Sequence, residues 1–285
     1  MPRTNSGIRQ MRIFCSLPLM RMLACICCWS VNAIAADALP RWEAGIAVGA
    51  ATLPQYMGSD ERYSFAIPVP FLVYRGDRVN LDREGLRADL FGNRDLSLDA
   101  SLGIGLPVRN TNRARANMPH LHFSLQAGPR LNWRLYTSEQ SEWTVRLPWR
   151  GVMDVRGHYL GWVSEPDLRI KLQLSDSVGL RLSAGALFAS QQFNAHYYNV
   201  DPIYATATRP TYQAKAGLHS LSLNGALFWK INDRLRAFTT LRYRNLSSGV
   251  INNSPLVKTP HYLSGAIGVA WSFYQSDELT GQTDD

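Results

Sequence analysis

After Cys28 the chain has no cysteine. Its four thiols, Cys15, Cys25, Cys27 and Cys28, all lie within the first 36 residues. Once that stretch is removed, no disulfide, thiolate metal site or cysteine nucleophile is available. The same 36 residues also lack Asp and Glu; the first acid is Asp37. They hold a basic start (Arg3, Arg9, Arg12), an apolar stretch "LACICCWSV" and an A-x-A site at Ala33-Ile34-Ala35. That layout predicts a secretory signal peptide over residues 1–36. The apolar stretch is short for a spanning helix, which needs about 20 residues. Export removes four arginines, so the 30 basic residues become 26 against 22 acidic ones. This modest balance, without basic runs interleaved with aromatics, gives no sign of nucleic-acid binding.

A helical period is also missing. From Trp42 onward the pattern has period two, which belongs to strands that present alternate residues to opposite faces. In "DLSLDASLGIGL" (95–106), Leu96, Leu98, Ala100, Leu102, Ile104 and Leu106 share one face. Phe65, Ile67, Val69, Phe71 and Val73 share another, as do Leu121, Phe123, Leu125 and Ala127, then Leu131, Trp133 and Leu135. Further sets start at Trp143, Leu168, Val178, Leu221, Leu235 and Leu263. No segment carries a convincing helix.

A soluble sandwich alternates in the same way. Two features favour a membrane barrel instead. The segments run about 10 to 13 residues, the length of a tilted spanning strand. Aromatics (Trp42, Trp143, Trp229, Trp271, Phe273) gather near segment ends, as in interfacial girdles. The expected fold is therefore all-β: a transmembrane antiparallel up-and-down β-barrel over residues 37–273. Eleven segments are countable, and bacterial barrels use even numbers. Twelve strands are expected if one is missed near the start, ten if Trp42–Ala51 lies outside the wall. Pro68 and Pro70 remove ladder donors, so a bulge or frayed pairing is expected there. Long links (107–119, 155–165, 191–216, 247–260) alternate with short ones (137–141, 176–177, 231–233). Short turns belong to the periplasm and long loops to the outside.

The charged faces predict a basic lumen formed by Arg134, Arg146, Arg150, Arg169, Lys171, Arg181, Arg236, Arg242 and Arg244. The run "HYLSGAIGVAWSF" (261–273) has no Asp, Glu, Lys or Arg and is too short for a helical span. It reads as the closing strand, with Leu263, Ile267, Val269, Trp271 and Phe273 toward lipid. Residues 274–285 are expected to form a disordered periplasmic tail.

Isolated chemistry is sparse. His122 and Ser124 share the lumen face, a base–nucleophile spacing seen in lipid-modifying barrels; two polar lumen residues would look the same. His120 and His122 lack further ligands at metal spacing. "RGD" (75–77) joins two strand patterns and reads as a tight turn. Outer-loop Arg109, Arg113, Arg115, Arg209 and Lys258 are candidates for lipopolysaccharide phosphates. No catalytic residue, cofactor or metal is assigned.

Seven motifs occur in order: "YMGSD" (56–60), "IPVPFLVYRGDRV" (67–79), "RANMPHL" (115–121), "GPRL" (128–131), "GWVSEPDL" (161–168), "YYNV" (197–200) and "NNSPLV" (252–257). Their order and spacing resemble the MipA/OmpV family of outer-membrane proteins, named partly for interaction with the lytic transglycosylase MltA. The resemblance covers about Trp42 to Phe273. Asn117 and His120 stand where that family usually has Gly and Asp, and Asn199 where it usually has Gly. The resemblance implies a non-enzymatic barrel in the outer membrane with a scaffolding role in the cell envelope. A murein hydrolase or peptidoglycan synthase in the periplasm is its implied partner. The alternative reading is a narrow channel for small solutes.

Overall fold

Alternation along each segment builds one continuous wall. The computed structural model describes residues 39–76, 79–82, 85–92 and 95–279, with side chains except in 79–82 and 85–92. The expected signal peptide, Asp77 of the Arg-Gly-Asp turn and tail residues 280–285 lie outside the described residues.

The strands are β1 (Trp42–Pro54), β2 (Arg62–Arg75), β3 (Val79–Asp82), β4 (Gly85–Gly92), β5 (Leu96–Gly105), β6 (Ser124–Thr137) and β7 (Ser141–Pro148). They continue with β8 (Arg150–Asp154), β9 (Tyr159–Ser164), β10 (Asp167–Ser175), β11 (Val178–Ala189), β12 (Gly217–Lys230), β13 (Leu235–Asn245) and β14 (His261–Gln275). Antiparallel pairing runs β1-β2-β3-β4-β5-β6-β7-β10-β11-β12-β13-β14 and returns to β1. β8 continues β7 past Trp149 along the same partner, β6; β9 leads into β10 along β11. The wall therefore has twelve staves, an even number as in other bacterial barrels. The strand missing from the sequence count lies in 79–92, where the chain doubles back as short β3 and β4.

β14 closes the ring on β1 with Val48 opposite Val269 and Gly49 opposite Gly268. Leu263, Ile267, Val269, Trp271 and Phe273 are on the outer face, each 41–64% exposed. Tyr262, Ala270 and Ser272 on the other face are buried. Outward Leu, Ile and Val with girdle aromatics are what a lipid-facing wall needs.

β2 departs from this rule. Phe65, Ile67, Val69 and Phe71 pair with Ala51, Gly49, Ala47 and Gly45, all inner-face residues of β1. Its larger apolar set thus faces the lumen, and Ala66, Pro68, Pro70 and Leu72 face outward. Both faces of β2 are apolar, so alternation identifies the sets but not which one is inside. The expected bulge at Pro68 and Pro70 is absent on the β1 side, where thirteen pairs run unbroken from Trp42–Tyr74 to Pro54–Arg62. On the other side β3 pairs only with Tyr74 and Arg75, and β4 reaches only Ser97, Leu98 and Asp99 of β5. Among the described residues the upper part of β2 has no strand partner there. Proline in a sheet belongs on such an edge.

Two further expectations are corrected. The 190–216 loop contains a helix, α1 (Gln191–Tyr198), where none was expected. Its sequence lacks an amphipathic repeat; Ser190 caps it by accepting from the Phe193 N–H, and burial of Phe193, Tyr197 and Tyr198 anchors it. The chain is still ordered at Tyr274, where the disordered tail was expected to start. β14 runs to Gln275, Ser276 N–H donates to Trp42 O, Arg41 N–H donates to Glu278 O, and Leu279 bridges Pro40.

Candidate functional site

The barrel has two dissimilar ends. At the end holding both strand termini, the connections are short: 138–140, 176–177 and 231–234. There Glu43, fully buried, takes the Arg75 guanidinium at 2.8 Å and that of Arg236 at 2.9 Å, and accepts from the Ser272 hydroxyl. β1, β2, β13 and β14 are thereby tied together beside the seam.

At the opposite end four long links hold one another. Asn112 Nδ2 donates to Gln55 Oε1 at 3.1 Å, joining loop 106–123 to loop 55–61. Arg115, 7% exposed, donates to Tyr197 O at 2.7 Å, and Arg209 donates to Ala114 O and Ala116 O at 3.0 Å, joining 106–123 to 190–216. Ser254 Oγ donates to Tyr198 O, joining 190–216 to 246–260. Tyr56 O–H donates to Leu256 O, and Lys258 N–H to Gly58 O, which returns the circuit to 55–61. Within this circuit one apolar cluster packs Tyr56, Leu121, Phe193, Tyr198, Leu246 and Ile251 against inner-wall Val152 of β8 and Tyr262 of β14. Those two strands are five staves apart in a ring of twelve, so the cluster crosses the bore. Link 155–165 is largely wall, with only 155–158 between β8 and β9.

Burial sets the protonation of the cap. Its desolvation, reinforced by the charge of Arg115, lowers His196 to about 4. Burial raises the Tyr197 and Tyr198 phenols, keeping both neutral. Asn117 has φ 61°, the left-handed region. Asn is the residue that best replaces Gly there, which accounts for the departure from the family pattern at this position.

Arg115 and Arg209 are therefore braces inside the cap rather than free phosphate ligands, contrary to the sequence expectation. Arg113 pairs with Glu61 at 3.2 Å, and Arg109 lies over the Tyr63 ring. Ser124 is fully buried and its Oγ has no hydrogen-bond partner, so it makes no base–nucleophile contact with His122. His120 and His122 have ring centroids 6.2 Å apart.

All nine basic residues of the expected lumen face lie on the inner wall, most with partners the sequence pattern could not reveal. Arg146 forms a two-pronged pair with Asp167, Arg244 reaches Glu165 at 2.7 Å, and Lys171 reaches Glu142 at 2.9 Å. Arg236 shares Glu43, Arg181 lies over the Phe228 ring, and Arg242 donates to Asn224. Arg134 faces Thr144 and Arg169 faces Ser183 across their ladders. Arg150 borders a lumen cavity of about 540 Å³ together with Arg130, Arg146, Arg169, Arg181 and Arg242, against two acids, Glu165 and Asp167. Sequence reasoning missed Arg75, Arg130 and Glu43; Arg130 and Asp99 form a buried two-pronged pair at 2.9 and 2.7 Å.

The family described as "MltA-interacting protein MipA" matches residues 46–273. A curated relative, "Outer membrane protein Omp26La" of Vibrio anguillarum, is 38% identical over 91 residues, covering 32% of this chain and 34% of that protein. The match thus spans about a third of the relative's length. Among solved structures, the NanC porin aligns with TM-score 0.41 at 9% identity, over 79% of this chain and 98% of that one. The COG4313 outer membrane channel from Pseudomonas putida F1 aligns with TM-score 0.44 at 10% identity, over 82% and 96%.

Proposed function

The chain belongs to the MltA-interacting protein MipA family and is an outer-membrane β-barrel; from that premise we propose that it holds a peptidoglycan-cleaving enzyme at its periplasmic rim. The carrying observation is the closed loop circuit at the outer end, with an apolar cluster across the bore. A general pore needs an open mouth; this barrel invests its longest loops in packing against one another. Lumen cations paired across the ladders stiffen the wall in the same sense. The rim carries short turns and exposes Ile231 and Tyr274 for contact. The barrel is then an anchor that keeps a lytic enzyme close to the membrane without catalysing anything itself.

A pull-down tests it. Tagged barrel in solubilised envelopes is expected to enrich lytic transglycosylases over an unrelated barrel of similar size. Equal recovery on both would contradict the reading. The channel reading has one observation in its favour, the arginine-bordered cavity. It requires discrete conductance steps in a planar bilayer; their absence would dismiss it.

A further inference from the structure

The interior of such barrels is ordinarily polar. Here an apolar cavity of about 630 Å³ lies inside the wall, bounded by Phe65, Ile67, Val69 and Phe71 of β2 and by Phe228 and Phe238 of β12 and β13. Ile67 is 51% exposed and Val69 48%, although both point inward. Apolar side chains left open to a cavity are unfavourable in water, and such concave apolar surfaces usually take a ligand. The staves between β2 and β13 are small: Gly49 and Ala51 of β1 and Ala266 and Gly268 of β14 leave the width, and a Cβ at Gly268 would come within 2.8 Å of the Phe238 ring. The volume falls in the range of small-molecule sites.

This cavity adjoins the arginine-bordered one: Ala51, Arg181, Ala226, Thr240 and Ala266 line both. In the second cavity Arg150 and Arg242 have no carboxylate partner among the described residues. Arg150 has a buried Nε without a hydrogen-bond acceptor, and Arg242 donates to neutral Asn224. Both stand close enough to Glu165 to feel its charge, but that carboxylate is already held by Arg244. An apolar chamber thus opens into a chamber with surplus positive charge. Beside it, among the described residues, the upper part of β2 has no strand partner on its β3 side and carries outward Ala66, Pro68, Pro70 and Leu72, an apolar surface toward lipid.

We propose that the lumen binds an amphipathic anion, a single acyl chain with an acidic head. The chain lies against Ile67, Phe71, Phe228 and Phe238, and the head lies against Arg150 and Arg242. The site is independent of the periplasmic docking proposed above.

The test uses full-length barrel in phospholipid vesicles with a palmitate analogue carrying a mid-chain diazirine. Crosslinks on inner-face β2, β12 and β13 are expected, competed by palmitate and about tenfold less by hexadecanol, which lacks the charge. The double variant Arg150→Gln, Arg242→Gln should lower inner crosslinking about tenfold, and Ile67→Glu should abolish it, while both variants keep the folded mobility of unboiled barrel. Water-soluble benzoate as competitor separates the sources: failure to compete identifies a membrane-borne acyl chain, and competition identifies a free acid at the same site. Crosslinks confined to outward residues such as Ile267 and Trp271 would overturn the proposal. So would equal competition by palmitate and hexadecanol.

Discussion

The outer end and the periplasmic end of this barrel are built by opposite means. The outer end is built from packed loops, with a helix, an apolar cluster and loop-to-loop hydrogen bonds from four links. The periplasmic end has little loop and is fastened by charge, with one buried carboxylate holding two guanidinium groups. Packing of the first kind holds long loops to one another and to the inner wall. A rim of the second kind leaves short, firmly held turns free to meet another protein. On the function proposed above, it is the second kind of end that would meet the partner.

The largest effect should come from breaking the inner fastening. Glu43→Ala leaves Arg75 and Arg236 facing each other without their shared counter-ion, and loss of one partner of a buried pair costs about 3–5 kcal/mol. Thermal loss of the heat-modifiable folded band should occur at clearly lower temperature, with the cap still protected until the wall fails. Next is the outer brace. Arg115→Ala removes charged hydrogen bonds to Tyr197 O and Pro119 O, at about 1.5–3 kcal/mol. Faster proteolysis within 190–216 at an unchanged barrel melting temperature is the expected result, and it would show the two ends to be separable.

A pH change should distinguish the ends more gently. His196 titrates at about 4 in the folded cap and near its ordinary 6.5 when the loop is undocked. Above pH 6.5 the ring is neutral in both states and costs nothing. Between 6.5 and 4 only the undocked form takes the proton, so cap stability falls as pH falls through that window. Hydrogen exchange in 191–198, corrected for intrinsic rates, should accelerate from pH 7.5 to 5, and His196→Gln should remove most of that change. The smallest effect is expected at the tail. Deleting residues 276–285 loses the backbone contacts of Ser276 to Trp42 and of Glu278 to Arg41, worth about 1 kcal/mol each. Membrane levels should stay near those of the parent, whereas Phe273→Asp, which puts a charge on the lipid face, should lower them.

Much of the inner and outer wall was legible in the chain because period two fixes which residues share a face. Leu263 to Phe273 and the nine inward cations follow from it directly. Sidedness was not legible in β2, where Ala66, Pro68, Pro70 and Leu72 oppose Phe65, Ile67, Val69 and Phe71. Neither face is polar, so the rule that the apolar face meets lipid has nothing to choose by. The cap was illegible for a different reason. "QQFNAHYY" has no repeat that marks a helix; only its docking among Tyr56, Leu246 and Ile251 makes it one. Arg115 and Arg209 read as solvated loop cations because their acceptors are backbone carbonyls far away in the chain. The pairs of Glu43 likewise depend on barrel closure, which brings Arg236 to it across 193 positions.

Binding of a purified lytic transglycosylase to two altered barrels in lipid nanodiscs tests most directly whether contact belongs to the inner rim. One barrel has loop 190–216 shortened; the other has the rim turns 138–140 and 231–234 replaced by glycine and serine. Parental affinity is expected for the first and at least about tenfold weaker binding for the second. Binding lost with the loop and kept with the altered rim would contradict it.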